Sequence, residues 1–240
     1  MAKISIIIPN YNNAQYLDRC LKSAINQTYK DIEIICIDDK STDNSLDILK
    51  KYEDIENVKI IKLTENGGVS NARNIALSQI DSEYVCFLDS DDYIEKDFCI
   101  DLLNNIISSK SDLSCGGHIK VNKFNRRISA WLPKKAFSDK PNEDIYYFTK
   151  HRNVTQKLFK TEIIKNNNIL FEKNLNYMED ALFLVTYLKH CKYITGVERV
   201  LYDVQINPNS LCRSEQYKER RESDSANASS KITSMLKDNI

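Results

Sequence analysis

Four apolar runs of strand length, Ile4–Ile8, Ile32–Ile37, Val58–Leu63 and Tyr84–Leu88, alternate with amphipathic helical segments, and this alternation restricts the chain more than any other feature. The runs are rich in β-branched residues and apolar on consecutive positions, the pattern of strands buried on both faces. Such strands are joined by crossover helices in a parallel sheet. The intervening segments fit that role. Ala14–Asn26 carries Leu17, Leu21, Ala24 and Ile25 on one face, Ser45–Tyr52 follows Ser41 or Asp43 as its cap, and Val69–Ile80 makes the third crossover. A fourth helix, Lys96–Ser108, and a further strand, Leu113–Val121, come next, with Gly116-Gly117 read as a bulge or a close backbone approach. The expected fold is α/β, a Rossmann-like, mostly parallel central sheet flanked by helices.

Beyond residue 122 the pattern becomes polar and aromatic, and it carries the single tryptophan, Trp131. Its clearest element is Met178–Cys191, apolar nearly all round and so expected to be deeply packed, with Glu179 and Asp180 in its first turn. From Glu215 onward the chain is charged and serine-rich and reads as a solvated helix or tail. The chain is thus divided into a first half (1–122), a less regular second half of the same domain (123–214) and a charged terminal segment (215–240).

Composition limits the chemistry. Lys+Arg and Asp+Glu both number 34, so the net charge is zero and a nucleic-acid binder working by phosphate neutralisation is a poor fit. Charge must act locally. No apolar run approaches the roughly 20 residues that span a bilayer, and Ile4–Ile8 is broken by Pro9 and Asn10 as a strand is, rather than extended as a signal peptide is. The seven cysteines (20, 36, 86, 99, 115, 191 and 212) form no Cys-x-x-Cys pair and mostly lie in apolar runs. They read as reduced core residues, which points to the cytoplasm.

In an open parallel sheet ligands bind outside the carboxyl ends of the strands. Here those ends carry Pro9-Asn10-Tyr11-Asn12, Asp38-Asp39, Asn66-Gly67-Gly68 and Asp89-Ser90-Asp91-Asp92. Nothing resembles the Gly-x-Gly-x-x-Gly turn of a dinucleotide site. Carboxylates gathered at one edge repel one another and call for a hard divalent cation, and such a cation commonly keeps substrate phosphates among its ligands. The pattern therefore suits a nucleoside diphosphate. Asp91 is the expected metal ligand and Asp89 a ribose acceptor. Asp39 suits the N3–H of a uracil or thymine ring, Tyr11 offers an aromatic face for that base, and Arg73 can neutralise and orient Asp89. Asp38 and Asp43 read as turn and cap residues.

With these residues in place the chain resembles the family 2 glycosyltransferases of the GT-A fold, a group of bacterial enzymes that build surface polysaccharides and lipid-linked glycans. The resemblance rests on Ile-Ile-Ile-Pro-Asn-Tyr-Asn (6–12), Ile-Asp-Asp-Lys-Ser-Thr-Asp (37–43), Asn-Gly-Gly-Val-Ser-Asn-Ala-Arg-Asn (66–74), Phe-Leu-Asp-Ser-Asp-Asp (87–92) and Met-Glu-Asp-Ala-Leu-Phe (178–183), in that order. It implies inverting transfer of a sugar from a nucleotide donor, most often a UDP-hexose or UDP-N-acetylhexosamine, to a glycan or lipid-linked acceptor. It also implies Mn²⁺ or Mg²⁺ on the diphosphate. By that resemblance residues 1–122 form the nucleotide-sugar-binding half and 123–214 the acceptor-side half; Pro9, Tyr11 and Asp39 hold the base, Arg73 and Asp89 the nucleoside, and Asp91 the metal. Asn12, Asn66 and Ser90 belong to the same nucleotide segments, and Asp180, beside Glu179, is the general base.

Two segments depart from the family pattern. Tyr202-Asp203-Val204-Gln205 stands where relatives have an aromatic run ending in Arg, and Thr155-Gln156 replaces Trp-Asn before Lys157. Two rival readings are weaker. An Asp-based phosphatase would carry Asp-x-Asp on its first strand, with Thr or Val where Tyr93 stands, and a non-catalytic calcium loop would need a Gly after its acids. Peripheral membrane attachment would fall to Lys218, Arg220 and Arg221.

Overall fold

The computed structural model describes residues 3–134, 151, 153–207 and 215–237, and in it the four apolar runs lie side by side as parallel neighbours. They are β1 (Ile4–Asn10), β2 (Ile32–Asp38), β3 (Val58–Lys62) and β4 (Tyr84–Phe87). The crossovers are α1 (Ala14–Ile25), α2 (Ser45–Leu49) with a 3₁₀ turn at Lys50–Tyr52, and α3 (Gly68–Leu77). The chain continues through β5 (Tyr93–Ile94), α4 (Phe98–Ser109), β6 (Leu113–Val121), β7 (Arg127–Trp131), β8 (Lys157–Lys160), α5 (Thr161–Asn166), α6 (Glu179–Leu188), β9 (Ile194–Gln205) and α7 (Lys218–Lys237).

All nine described strands share one sheet in the order β3-β2-β1-β4-β8-β6-β9-β5, with β7 hung on β6. The first four are parallel, as expected. β8 then joins β4 antiparallel and carries the sheet into the second half. Every residue of β1 is buried, but in β3 only Val58 is. The difference follows from position: β1 has a neighbour on each side, whereas β3 is an edge strand and is half-solvated. Successive side chains of β1 serve opposite faces. Ile4, Ile6 and Ile8 pack with α1 and α4, while Ile7 packs with α3 and α6.

Several local expectations need correction. Neither Ser41 nor Asp43 caps α2 by its side chain in the ordinary sense, because Asn44 occupies the cap position. Ser41 instead donates to Asp38 Oδ1 (2.6 Å), and the Asp43 carboxylate bridges two helices, accepting from Ser45 N and from Ala14 N (both 2.9 Å). The helix expected from Met178 begins at Glu179, since Met178 holds a left-handed φ of 65°. The bulge at Gly116-Gly117 is present: the β6–β9 register shifts there, and a Cβ on Gly117 would lie 2.8 Å from Trp131 O and 2.9 Å from Arg199 O. Six cysteines are buried and free, and Cys212 lies outside the described residues. No described helix is long and apolar enough to cross a membrane.

An aromatic cluster fills the α3/α6 face. Phe87 at the end of β4 meets Phe159, Phe171 and Phe183 edge-on, with centroids 5.8, 5.2 and 5.7 Å away, and Phe171 stacks on Phe183 at 4.1 Å. Removing a fully buried ring from such a cluster costs about 3–5 kcal/mol. Phe183→Ala should therefore lower the urea midpoint by a corresponding amount without changing the m-value.

Candidate active site

The sheet register brings the strand-end segments to one edge. Asn10 pairs with Asp38 and Ile7 with Phe87, so Asp39 and Asp89 extend past β1 on its two sides. Backbone bonds continue the ladders outward, from Asp39 N to Asn10 O and from Leu88 N to Ile7 O. On the β2 side, Asp39 is buried and its two carboxylate oxygens accept from Gly67 N (2.8 Å) and Gly68 N (2.7 Å), while Asn66 Nδ2 donates to Asp39 O. Gly68 has a φ of 81°, open to glycine at little cost, so the tight turn into α3 wraps around Asp39. Pro9 is buried within β1, and Tyr11, just beyond it, is 47% exposed.

Two of the expected nucleotide residues also hold the scaffold together. Asn12 Oδ1 accepts from Thr42 N (2.7 Å) and Asp43 N (3.2 Å), pinning the loop before α2. Ser90 is buried, and its hydroxyl accepts from Asn13 Nδ2 (2.9 Å), tying the acidic loop to the start of α1.

The centre of the edge is Arg73. This α3 side chain is buried, and its guanidinium reaches three carboxylates from two segments, the loop after β4 and the first turn of α6. Nη2 donates to Asp89 Oδ1 (2.8 Å), and Nη1 donates to Asp180 Oδ1 (2.6 Å) and Glu179 Oε1 (3.1 Å). Beneath it the Phe171 ring lies 5.0 Å away. Burial works against the Arg73 charge, but the charges of Asp180, Asp89 and Glu179 outweigh it and hold the group protonated. Among the carboxylates burial dominates. Asp89 is pushed up to about 6, with Arg73 opposing and the charges of Asp180 and Asp91 adding to the rise. Glu179 is pushed up to about 8, by burial first and the adjacent Asp180 second.

Next to this centre, Asp92 is turned inward. It accepts from Gln205 N (2.7 Å), and burial together with the charges of Asp91 and Asp89 raises its pKa well above the usual range. Asp91 is partly exposed and accepts from Asn207 Nδ2 (3.2 Å). No three described His, Cys, Asp or Glu side chains form a closed metal cage. A Mg²⁺ or Mn²⁺ ion held mainly by substrate phosphates asks for only one or two carboxylates, and Asp91, beside a carboxylate whose pKa its own charge raises, fits that requirement.

Comparison with known proteins identifies the arrangement. Residues 5–167 match the family Glycosyl transferase family 2. The chain belongs to that family. It is 40% identical over 208 residues to a poly(ribitol-phosphate) beta-glucosyltransferase of Bacillus spizizenii, a match covering 83% of this chain and 32% of the relative. It is 35% identical over 198 residues to the poly(ribitol-phosphate) beta-N-acetylglucosaminyltransferase TarP of Staphylococcus aureus, covering 80% and 59%. The chain thus spans less than two thirds of the length of either relative. Among solved structures, S. aureus TarS 1-349 in complex with UDP-GlcNAc superposes with a TM-score of 0.78 at 29% identity, covering 90% of this chain and 64% of that one. The fold of this family 2 chain is GT-A, as its motifs implied.

Two groups of supporting residues were not assigned a role from the sequence. The terminal helix α7 is not merely solvated: Asp224, Ala228 and Ile232 are buried, and α7 grips the loop that leads into Glu179-Asp180. Asp224 Oδ2 accepts from Asn176 N (2.9 Å), Ser225 Oγ contacts Met178 Sδ (3.3 Å), Lys231 pairs with Glu172 (2.7 Å), and Arg220 faces the Asn176 side chain. The spacing of Asp224, Ala228 and Ile232 by four residues was the available signal. The second group is the segment before β8. Val154 N lies 3.5 Å from Asp180 Oδ2, Thr155 bridges to Phe87, and the buried Lys157 ammonium donates to Asn153 O (2.6 Å). Gln156 there has a φ of 51°, a conformation that Asn tolerates better, and its buried amide accepts from Asn153 Nδ2 and Thr155 Oγ1 (both 2.9 Å).

The raised carboxylates make stability pH-dependent. Between the ordinary Glu value of 4.5 and about 8, Glu179 holds its proton in the folded chain and has lost it in the unfolded one. The folded state then binds more protons, so stability falls as pH rises through this window. Glu179→Gln should make the decline in melting temperature between pH 5 and 8 shallower; equal slopes in the two proteins would contradict the assignment.

Proposed function

We propose that this chain transfers a hexose or N-acetylhexosamine from a UDP-sugar to a hydroxyl of a polyol-phosphate or related glycan polymer, with inversion at the anomeric carbon. The observation that carries this reading is the Arg73 bridge, which puts Asp89, on the donor side, and Asp180, at the start of α6, on one guanidinium. The relatives' poly(ribitol-phosphate) acceptors and the UDP-GlcNAc bound by TarS support the substrate classes.

Each residue has a physical role in this reading. Tyr11 and Pro9 frame the base. Asp39, with both oxygens already accepting from the Gly67-Gly68 turn, keeps further lone pairs for a uracil N3–H. Asp89 accepts from the ribose hydroxyls while Arg73 fixes its orientation. Inversion in a single displacement needs one carboxylate to take the acceptor proton. Glu179 is the poorer choice, because burial keeps it protonated at neutral pH. Asp180 is the more exposed of the pair, with side chains 20% and 12% accessible, and takes the role of base. A Mg²⁺ or Mn²⁺ ion held by Asp91 would supply charge neutralisation for the departing diphosphate.

Asp180→Asn should reduce kcat by roughly 10²–10⁴-fold while leaving UDP affinity nearly unchanged in calorimetry; wild-type turnover would remove Asp180 as base. UDP binding should weaken strongly in excess chelator and recover with Mn²⁺ or Mg²⁺. Equal affinity with and without chelator would remove the metal role of Asp91.

A further inference from the structure

In a chain of zero net charge, residues 113–138 contain no Asp or Glu but carry Lys120, Lys123, Arg126, Arg127, Lys134 and Lys135. The core of this stretch is the β6–β7 hairpin, which is exposed from Lys123 through Ala130. Arg127 is already engaged by Glu95 (3.0 Å). Among the described residues no carboxylate pairs with Lys120, Lys123 or Arg126, and all three are exposed. The sequence places residues 123–214 on the acceptor side without giving these basic residues a task, and the catalytic roles above do not use them.

The hairpin tip is built rather than loose. Asn122 Oδ1 accepts from Phe124 N (2.9 Å) and Arg126 N (3.0 Å), and Asn125 takes the left-handed conformation that closes the turn, with a φ of 57°. The tip is also tied to the acidic edge. Arg19 donates to Asn125 Oδ1 (3.0 Å) and Gln205 Oε1 (2.8 Å), and it reaches Asp91 O at 3.5 Å. One guanidinium therefore spans from the basic turn to the backbone of the expected metal ligand. A positive strip held rigidly beside an acid-lined site favours a ligand that carries regularly spaced negative charge and presents an uncharged hydroxyl for reaction. Phe124, 70% exposed with Lys123 Nζ 5.1 Å from its ring, adds an apolar surface for a carbon skeleton between the charges.

We propose that the β6–β7 hairpin is the docking surface for a phosphodiester-linked polyol acceptor, with Lys120, Lys123 and Arg126 neutralising successive phosphates. This inference rests on the transferase reading for its acceptor, but its test does not require turnover. Binding of a fluorescein-labelled oligomer of ribitol phosphate is followed by anisotropy at several salt concentrations, with a neutral dextran oligomer and vesicles of phosphatidylglycerol in phosphatidylcholine as parallel arms. UDP binding is measured on the same preparations.

The full chain should bind the anionic oligomer and not the dextran. The combined variant Lys120→Gln, Lys123→Gln, Arg126→Gln should bind the oligomer at least about tenfold more weakly, and its log affinity should fall less steeply with log salt, by roughly 2 for three phosphate contacts. UDP affinity should be unchanged, and exchanging Lys and Arg at the three positions should restore oligomer binding. Wild type that ignores the oligomer, or a triple variant that binds it as tightly as wild type, would overturn the proposal. So would a variant that loses only vesicle binding, because the hairpin would then serve a membrane surface. Oligomer binding without UDP binding would instead leave the hairpin assignment standing and sink the transferase reading.

Discussion

One buried guanidinium organises the active edge. Arg73 is the positive charge around which Asp89, Glu179 and Asp180 can be brought out of water together, and none of these groups would tolerate the site alone. One cation does not balance three acids. The imbalance is relieved where burial is greatest, by the proton that Glu179 keeps at neutral pH. Asp180, next in the same turn and more accessible, contacts the same guanidinium. The geometry thus separates two adjacent carboxyl groups of one helix turn into a proton-bearing anchor and a proposed base, a division set by environment rather than by residue type.

The fold exists to hold that guanidinium still. Arg73 sits on α3, which packs on β1 and β2, and its three partners come from the end of β4 and the start of α6. The Phe87, Phe159, Phe171 and Phe183 cluster cements those elements, with Phe171 directly against the guanidinium. On the far side α7 fastens Asn176 and Met178, whose left-handed backbone aims the first turn of α6 at the centre. A non-glycine residue in that conformation persists where surrounding contacts determine it, and the α7 contacts do so here.

The clustering of Asp39, Asp89 and Asp91 at one edge was legible because parallel strands bring the residues immediately after their short apolar runs to the same end of the sheet. Asp39, Asp89 and Asp91 could be located by period and position alone, and Arg73 could be paired with Asp89 across 16 residues. The same Arg73 reaches Glu179 and Asp180 across 106 and 107 residues, and nothing in local periodicity encodes a contact of that range. β8 and β9 were likewise hidden. They join the sheet by strand pairing whose partners are distant in sequence, and the buried Lys157, Asp203 and Gln205 lack the unbroken apolar look of a central strand. Asn12 and Ser90 show the opposite limit. The sequence places them at the same edge as Asp39 and Asp89, but their hydrogen bonds to Thr42, Asp43 and Asn13 depend on loop closure, which local periodicity does not encode.

The zero net charge also hides a segregation. Acids crowd the carboxyl ends of β2 and β4 and the start of α6, while the acid-free β6–β7 hairpin carries positive charge beside them, tied to that edge by Arg19. At physiological ionic strength fields decay over about 8 Å, so two such regions keep separate signs only if they are rigidly spaced. Arg19 provides that spacing: it is anchored on α1, lies 4.1 Å from the Tyr93 ring and bonds to both the hairpin turn and the Gln205 side chain of β9. A polyanion would be repelled by an edge bearing Asp89, Asp91 and Asp180 unless its charges were met before its hydroxyl arrived. A fixed basic strip at the border satisfies that condition, and it leaves the edge free to keep the acids that the proposed cation and base roles require.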